Sequence, residues 1–359
     1  MRGVDVNPFP IAGALADDEV IGRDRDVVRL LQLAKGGHAA RLVAPRRYGK
    51  TTVLRRLLGD AERGGMVSAL VDLEGVLSLS SLVVRIERAY EHGVKGPLRK
   101  TVDSLLRSWQ IGLSLGGGGF AATLRSNPRV DVEAVLLRLL ELPVRVHERT
   151  KARTLVAFDE VQDLLRIEGA DGILRSVIQH QTEVASYVFA GSSPSLVERL
   201  FEDPSRPLLD HAVPIALGPL PLDEVADAVE RRFRVTRRAV GGALDPLVQL
   251  TRGHPQRTML LAHELWELIP RGATADEEAL WEARARALTG AEGSLRARWE
   301  SLPVNEQRVA LALATRSGGL YAEETLAPLG LKRGSVDRAL AGLVGRGDAI
   351  RTQAGPTLT

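Results

Sequence analysis

Lys50 and Thr51 follow Gly49 at the end of the run Ala44-Pro45-Arg46-Arg47-Tyr48, and far downstream Asp159 and Glu160 close the apolar stretch Thr154-Leu155-Val156-Ala157-Phe158. An ammonium, a hydroxyl and two adjacent carboxylates are groups that can hold a triphosphate with a divalent cation and attack it with water. Lys50 is placed to reach β- and γ-phosphates, and the Thr51 hydroxyl to join waters and phosphate oxygens in an octahedral Mg²⁺ shell. Asp159 can hold that Mg²⁺ shell while Glu160 orients or deprotonates the attacking water. Each half has a plainer alternative. Gly-Lys-Thr can fall in an ordinary strand-to-helix turn, and paired carboxylates at a strand end can cap the next helix. Their occurrence in one chain favours the nucleotide chemistry.

The flanking residues supply the scaffold such chemistry needs. Arg41-Leu42-Val43 suits a short buried parallel strand, and Thr52 to Leu58 has helical apolar spacing. Strand, tight loop and helix form the context of a P-loop, in which successive N–H groups and a helix N-terminus converge on the β-phosphate and a side chain at Gly49 would obstruct it. Ala44 stands where GxxxxGK[ST] usually has its first glycine. Alanine costs little there if φ is negative and strains the loop if φ is positive.

Further along, Asp24 to Ala34 is amphipathic, Met66 to Leu73 reads as the next parallel strand, and helical patterns cover 78–92 and 98–109. The glycine run 114–120 is either a hairpin turn or a mobile ligand loop. A helix is expected from Val130 to Glu148, another over 170–183, and a buried strand over Ser186 to Gly191. This alternation predicts an α/β domain with a mainly parallel sheet covered on both faces. Ser192 and Ser193, at the end of that last strand, are placed to bond a γ-phosphate or the attacking water. Gly191-Ser-Ser-Pro-Ser195 is not a hydrolase elbow, because GxSxG needs glycine at 195, and His263-Glu264 lacks the second histidine of HExxH.

From Pro219 onward the pattern is helical, over Leu222 to Arg234, Ala243 to Thr251 and Thr258 to Leu268. The break Gly253-His254-Pro255-Gln256 puts Arg257 in a first helical turn, where it either touches nucleotide phosphates or sits on a solvated face. The last segment reads helix (303–315), short helix (322–329), turn, helix (334–345) and two short strands, the order of a winged helix-turn-helix. In that arrangement Arg333, Ser335 and Arg338 would face a DNA major groove, although such a module serves equally for protein interaction or autoinhibition.

A chain of 359 residues with 44% hydrophobic content exceeds one core and predicts two or three domains. It contains no cysteine, so neither disulfides nor thiolate metal sites are available. No apolar run approaches the roughly 18 residues of a membrane span, and a cytoplasmic location without a membrane partner is expected. Six lysines against 42 arginines, at a net charge of only +3, fit a GC-rich coding sequence as well as phosphate recognition. Charge alone therefore does not argue for nucleic acid.

Gly22-Arg23, Pro45 to Thr51, Phe158-Asp159-Glu160-Val161-Gln162, Ala190-Gly191-Ser192 and Gly253-His254-Pro255 together resemble the AAA+ and STAND-related P-loop ATPases of the archaeal-type group, relatives of origin-recognition ATPases. The resemblance covers residues 7 to 290, with a looser match to the end. It implies a P-loop NTPase parallel-sheet core (1–218), a helical lid (219–294) and a C-terminal winged-helix domain (295–359). It also implies ATP and Mg²⁺ as ligands, and places Val20 to Arg23, with Gly22, near adenine. Thr52 belongs to the phosphate loop, Ser192 or Ser193 would be sensor 1, and His254 or Arg257 would take the lid role. Arg199 and Arg206 occupy the region of the family's arginine finger, and the sequence does not choose between them.

Two functions follow as expectations. One is an ATP-hydrolysing switch that couples nucleotide state to double-stranded DNA, a protein partner or homo-oligomer assembly; the other is a nucleotide-gated DNA-binding regulator or scaffold with little hydrolysis. A translocating motor is a weaker third, with the 112–120 insertion as its pore loop.

Overall fold

The computed structural model describes residues 6–11, 21–94, 98–112, 131–315, 320–352 and 355–358. The expected glycine-run loop, Asn127-Pro128 and Val20 lie outside them.

Five strands, β1 (Ala40–Val43), β2 (Val67–Asp72), β3 (Thr154–Asp159), β4 (Ala185–Gly191) and β5 (Val213–Ala216), form one sheet in the order β2-β3-β4-β1-β5. Every pairing in it is parallel. The central strands are buried on both faces, which is why they read as continuous apolar runs. Successive side chains still divide between the two faces. Leu155, Ala157, Val188 and Ala190 pack with α1 (Asp24–Lys35) and α2 (Lys50–Arg63). Val156, Phe158, Tyr187 and Phe189 pack on the opposite face. That face is covered by α3 (Leu79–Gly93), α4 (Arg99–Gly112), α5 (Val132–Leu140), α6 (Leu142–Thr150), α7 (Ala170–Ile178) and α8 (Pro194–Phe201). On that face the rings of Phe158, the residue before Asp159, and Phe189 stack with centroids 5.6 Å apart. β4 runs between β1 and β3, so the residue after its end, Ser192, falls between the loop after β1 and the carboxylates after β3.

Two expected helices are shorter than their apolar patterns suggest. The span 130–148 breaks at Glu141 because Pro143, in the first turn of α6, has no N–H to continue the ladder of α5. The span 170–183 stops at Ile178. Gln181 then folds inward, donating to the Leu140 carbonyl at 2.9 Å and accepting from the Tyr187 hydroxyl at 2.5 Å.

A second core joins α9 (Leu222–Val235), α10 (Leu244–Thr251), α11 (Pro255–Leu268) and the start of α12 (Glu277–Ser301). Phe9 belongs to it, its ring 5.3 Å from that of Phe233, so the segment 6–11 packs on these helices and not on the sheet. The 25-residue α12, about 37 Å long, leads to a third core formed by α13 (Val304–Thr315), α14 (Glu323–Leu326), α15 (Arg333–Gly345) and the antiparallel pair β6 (Ala349–Thr352) and β7 (Gly355–Leu358). α15 docks its C-terminal end on α8, where Ser193 and Ser195 donate to the Gly345 carbonyl at 3.3 and 3.1 Å. Gly347 follows, so close to Pro45 that a Cβ would come within 3.4 Å of its Cα. Among the described residues no helix is long and apolar enough to cross a membrane.

Candidate active site

The loop between β1 and α2 keeps Ala44 buried, its N–H donating to the Gly191 carbonyl at 3.2 Å. Ala44 is not among the residues with positive φ, so alanine costs the loop little there. The left-handed conformations fall at Arg47 (φ 71°) and Gly49 (φ 83°). At Gly49 a Cβ would meet no protein atom within 4 Å. α2 then begins with no side-chain cap and no acidic residue in its first turn. Its first N–H groups and positive dipole end are left for an anion from outside the chain.

Beside that helix end lies a cavity of about 450 Å³, of ligand size. Pro45 to Thr52, Arg23, Glu160 and Ser192 line it. Lys50 pairs with Asp159, and with Glu160 Oε1 at 2.7 Å. The Thr51 hydroxyl donates to the other oxygen of Asp159 at 3.0 Å. Glu160 sits at φ 53° on the turn after β3, a conformation uncommon for a residue with a side chain. Its Oε2 accepts from Ser192 Oγ at 2.7 Å and from the Gln162 amide. Burial pushes the Glu160 carboxyl up, but the Lys50 charge and the hydrogen bonds from Lys50, Ser192 and Gln162 outweigh it and hold the group below its usual range.

The oxygens of Thr51 and Asp159 suit a hard divalent cation. Among the described residues there is no cluster of three or more His, Cys, Asp or Glu able to hold a metal. Magnesium does not require one, since it keeps water and takes phosphate oxygens beside one or two protein ligands.

Arg23 and Gly22 sit at the junction of sheet and helices. The buried Arg23 guanidinium donates to the Tyr48 carbonyl at 3.2 Å and the Gly218 carbonyl at 2.7 Å, tying the phosphate loop to the start of the helical unit. Gly22, at φ 62°, packs on Leu220 and Pro221. The apolar end of the cavity is made by Pro10, Ile11, Ile21, Leu220 and Met259. All but Ile21 escape a sequence reading, because their proximity depends on the segment 6–11 lying on the helical unit; the apolar Phe9-Pro10-Ile11 cluster was the available signal.

His254 and Arg257 do not line the cavity. His254 is buried as the N-cap of α11, its Nδ1 accepting from the Arg257 N–H at 3.3 Å, and its ring meets Tyr48 edge-on at 4.8 Å. Burial, then the charges of Arg257 and Arg47, lower its pKa to about 4. Neighbouring Gln256 does reach the cavity and accepts from Arg47 at 3.2 Å. Arg206 is engaged by the buried Asp171 at 3.1 Å, whereas Arg199 is exposed on α8. Arg333 and Arg338 are exposed and Ser335 half-buried on the first half of α15.

No family model matches the chain, and no curated protein matches it. Among solved structures it is similar to a Walker-type ATPase of Pyrococcus abyssi, 16% identical over 98% of this chain and 96% of that one, with a TM-score of 0.68. It is also similar to the ORC2 protein of Aeropyrum pernix in ADPNP–ADP complexes, 14% identical over 97% and 92% of the two chains, with a TM-score of 0.58. With its five-stranded parallel sheet and uncapped loop-to-helix turn, the chain has an α/β P-loop fold like that of these proteins.

Proposed function

We propose that the protein binds ATP with Mg²⁺, hydrolyses it, and uses the nucleotide state to set the position of its C-terminal unit. The observation that carries this is the convergence of Lys50, Thr51, Asp159, Glu160 and Ser192 at the uncapped start of α2. The A. pernix ORC2 structure contains ADPNP and ADP, and sharing its fold supports an adenine nucleotide here.

In this proposal the phosphates meet the N–H groups of residues 46–51 and the Lys50 ammonium. Thr51 and Asp159 hold Mg²⁺, which when bound neutralises developing phosphate charge. Glu160 takes the proton of a water whose oxygen bonds the γ-phosphorus as the bond to the β-phosphate oxygen breaks, leaving ADP and phosphate. Ser192 orients Glu160 as sensor 1. Residues 219–294 act as the lid, with His254 shaping the start of α11 and Arg257 beside the Tyr48 loop. Arg199, exposed, is the better finger candidate, since Arg206 is held by Asp171. Residues 295–359 act as a winged helix, with Arg333, Ser335 and Arg338 offered to duplex DNA or a protein partner.

A second proposal, a nucleotide-gated binding module with little hydrolysis, is favoured by one observation: both Glu160 oxygens are engaged by the chain's own donors. ATP turnover of wild type and Glu160→Gln, measured across protein concentration with and without duplex DNA, separates the two. Turnover that depends on Glu160 and rises with concentration or DNA supports an assembling ATPase. ATP binding without turnover under every condition supports the binding module.

A further inference from the structure

Gln162 is buried in the short 3₁₀ turn Val161–Arg166 that follows Glu160. Its amide nitrogen donates to Glu160 Oε2, the oxygen that also accepts from Ser192 Oγ. Its own Oε1 is buried without a partner. That orientation is set by chemistry: a flipped amide would press its oxygen against the carboxylate, and an unpaired amide oxygen costs less than that repulsion. Space for the amide comes from the neighbouring strand, where a Cβ on Gly191 would lie 2.6 Å from Gln162 Oε1 and 2.3 Å from a Val197 methyl. The lack of a side chain at 191 therefore serves the placement of Gln162.

The two oxygens of Glu160 are consequently held by unlike partners. Oε1 is held by Lys50, whose ammonium a triphosphate would compete for. Oε2 is held by Ser192 and Gln162, each anchored in the sheet or in the turn behind it. We propose that Gln162 is a positioning residue that, with Ser192, keeps one oxygen of Glu160 fixed while nucleotide draws Lys50 from the other, so that only the freed oxygen is presented to the attacking water. Nucleotide arrival then performs two acts at once, binding the phosphates and releasing the base. This rests on the ATPase proposal above.

The test uses the full-length protein with Gln162→Met, which keeps length and volume and removes the donor, and Gln162→Glu, which replaces the donor with a like charge. Turnover number for ATP falls about tenfold to a hundredfold in Gln162→Met, the scale of a misplaced reacting group, and at least as far in Gln162→Glu. KM and the melting temperature of Gln162→Met stay near wild type. A turnover number equal to wild type, or a loss confined to KM, overturns the proposal. The side-chain amide resonance of Gln162 in ¹H–¹⁵N spectra supplies an independent readout. It stays in its hydrogen-bonded position when a non-hydrolysable ATP analogue is added and moves in Glu160→Ala. Movement on adding the analogue to wild type overturns the proposal even where turnover is zero, whereas zero turnover with an unmoved resonance counts against the ATPase reading alone.

Discussion

Ser193 donates its hydroxyl to the Gly345 carbonyl at 3.3 Å, across 152 positions of sequence, while the preceding Ser192 donates to Glu160 at 2.7 Å. Ser193 is extended (φ −115°, ψ 96°), and side chains of successive residues in extended backbone point to opposite sides. One serine thus faces the Glu160 carboxylate and the next holds the end of α15. With Ser195 also on the Gly345 carbonyl, replacing both Ser193 and Ser195 by alanine removes two partly exposed hydrogen bonds, about 0.5 to 1 kcal/mol each. Docking of the C-terminal unit weakens roughly fivefold to thirtyfold, read as faster amide exchange in residues 343–350 with the exchange of β3 unchanged. Unaltered exchange in 343–350 would show that these two serines carry no docking energy.

Glu160→Gln keeps the left-handed turn and the acceptor oxygen but cannot take a proton. ATP affinity is retained, and turnover falls about 10²-fold or more, the usual scale for a lost general base. Equal turnover in the two proteins would remove Glu160 from the chemistry.

Lys50→Ala acts on stability as well as on ligand. Lys50 is the counter-ion of two carboxylates that are themselves largely buried. Its loss leaves them facing each other, costing about 2 to 3 kcal/mol in the nucleotide-free protein, less than a fully buried orphaned charge because a carboxylate can protonate. ATP binding weakens about tenfold to a hundredfold from the lost charged hydrogen bond. Calorimetric titration and a melting curve read the two effects separately. A melting temperature unchanged in Lys50→Ala would mean that the triad of charges is not coupled.

The central strands were readable because a strand buried on both faces has almost no polar residues, so β3 and β4 stand out, as do the carboxylates that end β3. The helix break at Glu141 was missed because apolar spacing runs on through Pro143, and spacing says nothing about a missing N–H. Arg23 illustrates what a local pattern carries only in part: Asp26, three residues on, is one partner, but the others are the backbone carbonyls of Tyr48 and Gly218, which have no side-chain identity. Gln162 was legible only as part of a motif, since its placement depends on a Cβ that Gly191 lacks.

If α15 reads DNA, Arg333 and Arg338, exposed on its first half, contribute through phosphates or base edges while its far end stays docked. Replacing both by alanine lowers the affinity for duplex DNA and reduces the slope of log affinity against log salt by about 0.9 for each phosphate no longer neutralised. ATP affinity is unchanged. Fluorescence anisotropy at several salt concentrations measures both. An unaltered slope would place DNA elsewhere on the molecule or exclude it as the partner.

His254 makes the junction of phosphate loop and helical unit sensitive to acid. The cap requires an unprotonated Nδ1, and the folded pKa of about 4 lies below the ordinary 6.5. Between these values the unfolded chain binds a proton that the folded chain refuses, so the unfolded state holds more protons and stability rises with pH. The contribution is complete above pH 6.5, is lost as pH falls toward 4, and amounts to about 3 kcal/mol at most. His211 has a similarly lowered pKa of about 4, from burial and Arg175, so wild type alone does not isolate His254. His254→Asn keeps a capping acceptor without a titrating group. The drop in denaturant stability from pH 7.5 to 4.5 is therefore smaller in His254→Asn than in wild type, and an equal drop in both would show that the His254 cap does not set the acid limit.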